Sequence, residues 1–170
     1  MSDATLQLGG RRPVIRLERH LGAPPKEVWR AITDPEELKS WFPCQVAVEE
    51  WKVGAALRFS FSQHDVADLR GTVLEVDEPR VLSFTWGDET LRIELTPASD
   101  GGTHLVFTDE LAPGIAARNA AGWDVCLDRL AGKAPDDAEW KPRFDHYVAA
   151  FKPALGPQEG PPGGVEAAAG

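Results

Sequence analysis

Between Cys44 and Glu110 the chain holds an apolar period of two through six consecutive short segments: CQVAVEEW, ALRFSFS, LRGTVLEV, RVLSFTW, ETLRIELT and THLVFTDE. Alternation of this kind, rich in β-branched and aromatic residues, suits strands with one buried face. Turn signals separate the segments: Lys52-Val53-Gly54, Glu78-Pro79-Arg80, Gly87-Asp88 and Ser99-Asp100-Gly101-Gly102. Links this short join antiparallel neighbours, so the middle of the chain is committed to a meander. Only Ser62 to Ala67 is a longer, polar link, expected to be mobile. Upstream, VIRLERHL at 14–21 alternates in the same way and predicts one more strand, about seven in all.

Helical spacing flanks the meander. In APPKEVWRAIT the prolines fit only before or inside a first turn, so a short helix starts near Pro25, with Val28, Ala31 and Ile32 on its apolar face. TDPEELKSWFP follows directly. Asp34 is a good N-cap, Pro35 suits the first helical position, and Glu37 completes a D-x-x-E capping box. Leu38, Trp41 and Phe42 share one face of this second helix, and Pro43 ends it. After the strands, Ala116, Ala120, Trp123, Leu127 and Leu130 form the stripe of a long helix that Gly132 and Pro135 close. Trp140, Phe144, Tyr147, Val148 and Phe151 predict a further amphipathic helix, with Pro142 in its first turn or just before it. Residues 1–13 read as a loose arm, 14–152 as a single domain, and 153–170, rich in Pro, Gly and Ala, as a disordered tail. The class is α+β: a curved antiparallel sheet whose apolar face only the long helix is long enough to cover.

The net charge of −9 with no basic run argues against nucleic acid and anionic membranes as partners. No stretch approaches the ~18 apolar residues of a membrane span, and the first residues lack a signal-peptide core, so the expected compartment is the cytoplasm. Cys44 and Cys126 form no CxxC or zinc spacing and read as buried free thiols. His20, His64, His104 and His146 fall in four different elements, with only His64-Asp65 adjacent to a carboxylate, so no metal and no cofactor is expected. No GxSxG, Walker or GxGxxG stretch occurs, and no nucleophile lies beside a base.

The order of elements, together with PKEVWRAITDPEELKSWF (25–42), GTVLEVDEPRVLSFTW (71–86), Leu91 to Leu111 with its DGGTHLVFTDEL end, and GWDVCLDRL (122–130), resembles the SRPBCC superfamily. This is the helix-grip fold of START lipid-transfer domains and the birch-pollen allergen. Within it the chain is most similar to the bacterial homologues of the activator of the heat-shock chaperone ATPase. The resemblance spans about residues 14–151. One departure is Ala55-Ala56, where the family often carries a second glycine after Gly54. The resemblance implies a cavity between the sheet and the long helix, but no single chemistry: the superfamily includes lipid carriers, aromatase/cyclases, hormone receptors and co-chaperone domains.

Alternation assigns Phe59 and Phe61, Phe84 and Trp86, Ile93, Phe107 and Asp109 to the inward face, and His104 to the outer one. Trp123 points down from the long helix. Of the Trp41-Phe42 pair, one ring packs between the short helices and the other lines the cavity or its mouth; both being plain core is the competing reading. Asp109 either anchors a ligand or acts as a base, or else merely ends its strand. Asn119 either donates to a ligand or faces solvent. Gly122, in mid-helix, reads as close helix–sheet contact or as room beside Trp123. Asp124, Asp128 and Arg129 read as a solvated surface.

Three functions remain open: a binder of a small hydrophobic or amphipathic molecule, monomeric or weakly dimeric; a cyclase/dehydratase- or hydrolase-type enzyme using Asp109; and a partner-protein module acting through the outer sheet face and the last helix. The first is preferred, because no residue pattern supports covalent catalysis.

Overall fold

The computed structural model describes residues 3–62 and 66–160; His64 and Asp65, and the end of the expected tail from residue 161, lie outside the described residues. The element order is β1 (Thr5–Gln7), β2 (Val14–Leu21), α1 (Pro25–Thr33), α2 (Pro35–Leu38), β3 (Gln45–Ala47), β4 (Ala56–Ser60), β5 (Leu69–Asp77), β6 (Val81–Trp86), β7 (Glu89–Pro97), β8 (Thr103–Glu110), α3 (Ala116–Leu130) and α4 (Trp140–Leu155). All strand pairings are antiparallel, in the order β1-β2-β8-β7-β6-β5-β4-β3. The fold is the helix grip, a curved antiparallel sheet with the C-terminal helices packed on it.

The sheet has eight strands rather than seven. The extra one, β1, lies in the segment expected to be a loose arm and pairs Thr5–Gln7 with Val14–Arg16. Leu6 packs against the core and Ala4 is buried, which anchors a stretch too short to show a period.

Rows of side chains cross the inner face in register. Leu82, Ile93, Phe107 and Leu17 form one row, and Phe84, Leu91, Asp109 and Ile15 the next; every member is buried. Near the β6–β7 turn, Trp86 lies opposite Glu89. Strand β5 shifts register between Val73 and Glu75. At Gly71 a Cβ would come within 2.0 Å of the Thr85 carbonyl oxygen, so only glycine fits beside that backbone.

Helix α1 meets α2 at Asp34, whose N–H bonds the Arg30 carbonyl at the end of α1 while its carboxylate accepts from Glu36 N–H. With the Asp34 N–H already used, the capping box expected with Glu37 has no donor to close on. Glu37 pairs with Arg30 instead, at 3.4 Å. Trp41 packs between the two helices, its indole donating to the Ala31 carbonyl at 2.9 Å.

Asp124 and Asp128 are not on a solvated surface; both are buried. Arg19, from the inner face of β2, donates to Asp124 Oδ1 at 2.6 Å and Asp128 Oδ1 at 3.2 Å. From α4, Tyr147 donates its hydroxyl to Asp124, and Arg143 meets Asp128 at 3.0 Å. The Ala4 N–H closes the network on Tyr147 Oη at 2.9 Å. Buried charges persist only when paired in this way, and here the pairing joins the N-terminal strands to α3 and α4.

Gly122 makes no close helix–sheet contact: a Cβ there would meet Trp140 Nε1 of α4, at 4.0 Å, and no strand atom within that distance. The expected tail also starts late. Helix α4 runs through Pro153 to Leu155, and Gln158 then caps α3, accepting from Ala117 N–H at 2.9 Å, while Glu159 N–H bonds the Gly114 carbonyl. Among the described residues no helix is long and apolar enough to cross a membrane, and none group as ligands for a metal ion.

Candidate functional site

The inner face of the sheet, α3 and the end of α2 enclose an interlocked set of rings. Phe42 is its hub, with centroid distances of 5.6 Å to Trp123, 6.1 Å to Phe59, 6.3 Å to Trp86 and 6.4 Å to Phe84. Trp86 and Trp123 lie 5.3 Å apart, and Phe107 meets Trp123 at 4.7 Å. The sequence explains the convergence. Period two places Phe59, Phe84, Trp86 and Phe107 on one sheet face, and Pro43 ends the short helical segment with Phe42 turned toward them.

Of the residues singled out from the sequence, Trp41, Phe42, Phe59, Phe84, Ile93, Phe107, Asp109 and Trp123 are buried, while Phe61, Trp86 and Asn119 are partly so. Trp41 stands apart from the rest, engaged with α1, and touches the set only edge-on through Phe42. Ile93 lies one row deeper, beside Phe107.

The rings reach the surface at a cleft of about 400 Å³ lined by Lys39, Phe42, Pro43, Cys44, Gln45, Ser60, Phe61 and Ser62. Phe42 thus belongs to both cleft and interior, and Phe61 leads inward to Trp86 at 6.3 Å. The Trp86 Nε1 atom is buried, and its acceptor is the Cys44 sulfur, a weak one. Burial pushes the thiols of Cys44 and Cys126 up to about 12, so both stay protonated and unreactive at neutral pH.

Behind Trp123 the set ends in a polar cluster. Asp109 Oδ2 accepts from Trp123 Nε1 at 2.9 Å and from Asn119 Nδ2 at 3.2 Å, and the same Asn119 amide donates to Glu89 Oε1 at 2.6 Å. Asp109 Oδ1 is buried and has no N–H donor; the carboxyl of Glu89 is its neighbour. Burial, then the charge of Asp109, raises the Glu89 carboxyl far above its ordinary range. Burial also raises Asp109, against the opposing effect of the bonds from Glu89, Trp123 and Asn119. Two carboxyls this close cannot both ionise. Glu89, the more strongly raised of the two, therefore favours its protonated form beside Asp109. Chemically the pair can hold a polar group or exchange a proton.

Glu89 did not emerge from reading the sequence, although the signal was present. In ETLRIELT, Glu89 has the same parity as Leu91, Ile93 and Leu95 and so shares their buried face.

The fold recurs in solved structures. EF2215 from Enterococcus faecalis, described as a conserved protein of unknown function, is 24% identical, with a TM-score of 0.77 over 88% of this chain and 91% of its own. CalU16 from Micromonospora echinospora is 21% identical, with a TM-score of 0.71 over 91% of this chain and 98% of its own. DynU16, from the dynemicin biosynthetic locus, is 29% identical, with a TM-score of 0.60 over 70% of this chain and 46% of its own. None of the curated proteins matches the chain. The fold is one compatible with ligand binding. Activator of Hsp90 ATPase homolog 1-like proteins match residues 22–133, most of the sheet together with α1 to α3, and the chain belongs to that family within the SRPBCC superfamily.

Proposed function

We propose that the protein binds a small hydrophobic or amphipathic molecule at the cleft and the aromatic set behind it. The observation that carries this reading is Phe42, which lines the open cleft and contacts Phe59, Phe84, Trp86 and Trp123 at once. A cleft of this size suits a drug-sized ligand, and apolar burial at roughly 25 cal/mol per Å² would drive association. Phe42, Phe61 and Trp86 form the first wall met; Phe59, Phe84, Phe107 and Trp123 lie behind it, and Asp109 with Asn119 supplies the polar end. Ile93 and Trp41 shape the surroundings. The two buried thiols fit a reducing, cytoplasmic setting. Native mass spectrometry of freshly purified protein tests the reading: a stoichiometric extra mass, lost on denaturation and weakened by Phe42→Ala, is expected. Small apolar probes that leave tryptophan emission unchanged at saturating concentration would refute it.

One observation favours a second reading. A buried carboxyl pair sharing one proton is suited to acid–base catalysis on a bound molecule, as in a cyclase/dehydratase or hydrolase. Asp109→Asn and Glu89→Gln would each abolish turnover of a true substrate while leaving its binding within a fewfold; unchanged turnover in either would exclude the pair as catalyst.

A further inference from the structure

We infer that the cleft takes an aromatic ring, rather than a saturated chain or ring, as the apolar part of its ligand, with a hydroxyl or amide group of that ligand at the mouth. The inference rests on the binding reading above and names its ligand class. Phe42, Cys44 and Phe61 line the cleft, and all three adjoin Trp86 behind them: each phenyl ring at 6.3 Å, the Cys44 sulfur as acceptor of the indole N–H. No ring contact joins Phe42 to Phe61, so the two stand beyond the ~7 Å of an aromatic pair. Phe42 is buried among the other rings of the set, whereas Phe61 is half-buried and meets only Trp86. Phe61 thus keeps ring surface for the cleft. An aromatic group seated there would meet a phenyl ring and a polarisable sulfur. Contacts of both kinds add to apolar burial by amounts that a saturated group of the same skeleton does not gain, together roughly 5–10-fold in affinity.

The polar residues of the cleft lie on its solvent side. Gln45 and Ser60, which line it, sit opposite each other in the β3–β4 ladder. Alternation turns them away from the interior that Val46 and Phe59 fill. Ser62 lines the same margin. Among the described residues the side chains of Gln45, Ser60 and Ser62 hold no hydrogen bond, so each is available both to donate and to accept. A hydroxyl or amide carried by the ring would meet them at the mouth. The fit is to aryl alcohols, phenols and aryl amides.

Titration calorimetry with 2-naphthalenemethanol, its decahydro analogue and 2-methylnaphthalene tests this on the wild type, on Phe61→Leu and on the double variant Gln45→Ala/Ser60→Ala. The decahydro alcohol has the larger apolar surface, so burial alone would favour it; the aromatic alcohol should instead bind about 3–5-fold tighter. Phe61→Leu keeps apolar bulk without the ring, and should bring the two alcohols to within about twofold or reverse their order. The double variant should weaken 2-naphthalenemethanol about fivefold and 2-methylnaphthalene by less than about twofold, the signature of a lost hydrogen bond rather than of lost packing. A decahydro alcohol that binds wild type as tightly as the aromatic one overturns the inference and leaves the binding reading standing. So does a preference that Phe61→Leu leaves unchanged, or equal weakening of both aromatic probes by the double variant. If none of the three probes binds wild type, both fall. The wild-type ranking decides the matter even if a variant fails to fold.

Discussion

Glu89→Gln should make the protein more stable at neutral pH and change little under mild acid. In the unfolded chain Glu89 ionises near pH ~4.3. In the folded protein, burial and then the Asp109 charge hold its proton to a much higher pH. Below the unfolded value both states are protonated and the group costs nothing. As pH rises beyond it the unfolded state sheds a proton that the folded state keeps, so stability falls until the folded group itself ionises. One withheld proton gives a slope of at most about 1.4 kcal/mol per pH unit. Between pH ~5.5 and ~7.5 that amounts to about 2.7 kcal/mol, or roughly 5–10 °C in Tm for a chain of this size. Glutamine is close to isosteric. Its amide oxygen can keep the bond from Asn119, and its N–H can replace the shared proton on Asp109. Burial raises Asp109 too, with the same sign, and the glutamine amide takes over the bond from Glu89 that opposes that rise, so the difference between the proteins reports Glu89 together with its coupling to Asp109. Denaturant titrations of both proteins across this range would show the curves diverging as pH rises. Parallel curves would mean that Glu89 is ionised in the folded state and that the shared proton does not exist.

Gly71→Ala should destabilise by about 2–3 kcal/mol, because its Cβ would collide with the Thr85 carbonyl oxygen at 2.0 Å; a thermal melt within ~1 °C of wild type would contradict the close approach. Gly122→Ala should stabilise by up to about 1 kcal/mol, helix propensity being gained where a Cβ meets only Trp140 at 4.0 Å, as read from the urea midpoint. Tyr147→Phe should cost about 2–3 kcal/mol, removing a donor to Asp124 and leaving the buried Ala4 N–H unpaired; amide exchange at Ala4 should accelerate in parallel. Ending the chain after Leu155 should cost about 1 kcal/mol through loss of the Gln158 cap on α3, with faster amide exchange at Ala117 as its local mark.

Strands, helices and the inward rings were legible because each follows from a period that burial enforces over several residues. What escaped reading is what long-range partners decide. Strand β1 has one half-buried apolar residue, Leu6, between two exposed ones, so nothing local distinguishes it from a coil; its pairing with β2 creates it. Asp124 and Asp128, one helical turn apart, look like a solvated face because the cation that justifies burying them, Arg19, lies more than a hundred residues earlier in sequence. Glu89 was overlooked for the opposite reason: its parity was plain, but a carboxylate in a strand reads as solvent-facing until a second buried acid, Asp109, explains how it stays neutral. Gln158 and Glu159 sit in a Pro- and Gly-rich stretch with no core pattern, and they are held by backbone hydrogen bonding that composition does not reveal.

The sheet order leaves β1 and β3 at its two margins, and each is only three residues long. A long open margin is a template on which another chain can add a strand, and proteins that expose one tend to associate edge to edge. Here β1 and β3 each offer roughly 10 Å of backbone edge, and β1 covers only Val14–Arg16 of the eight-residue β2. Margins this short disfavour edge-to-edge pairing of a sheet that carries so many aromatic residues on one face.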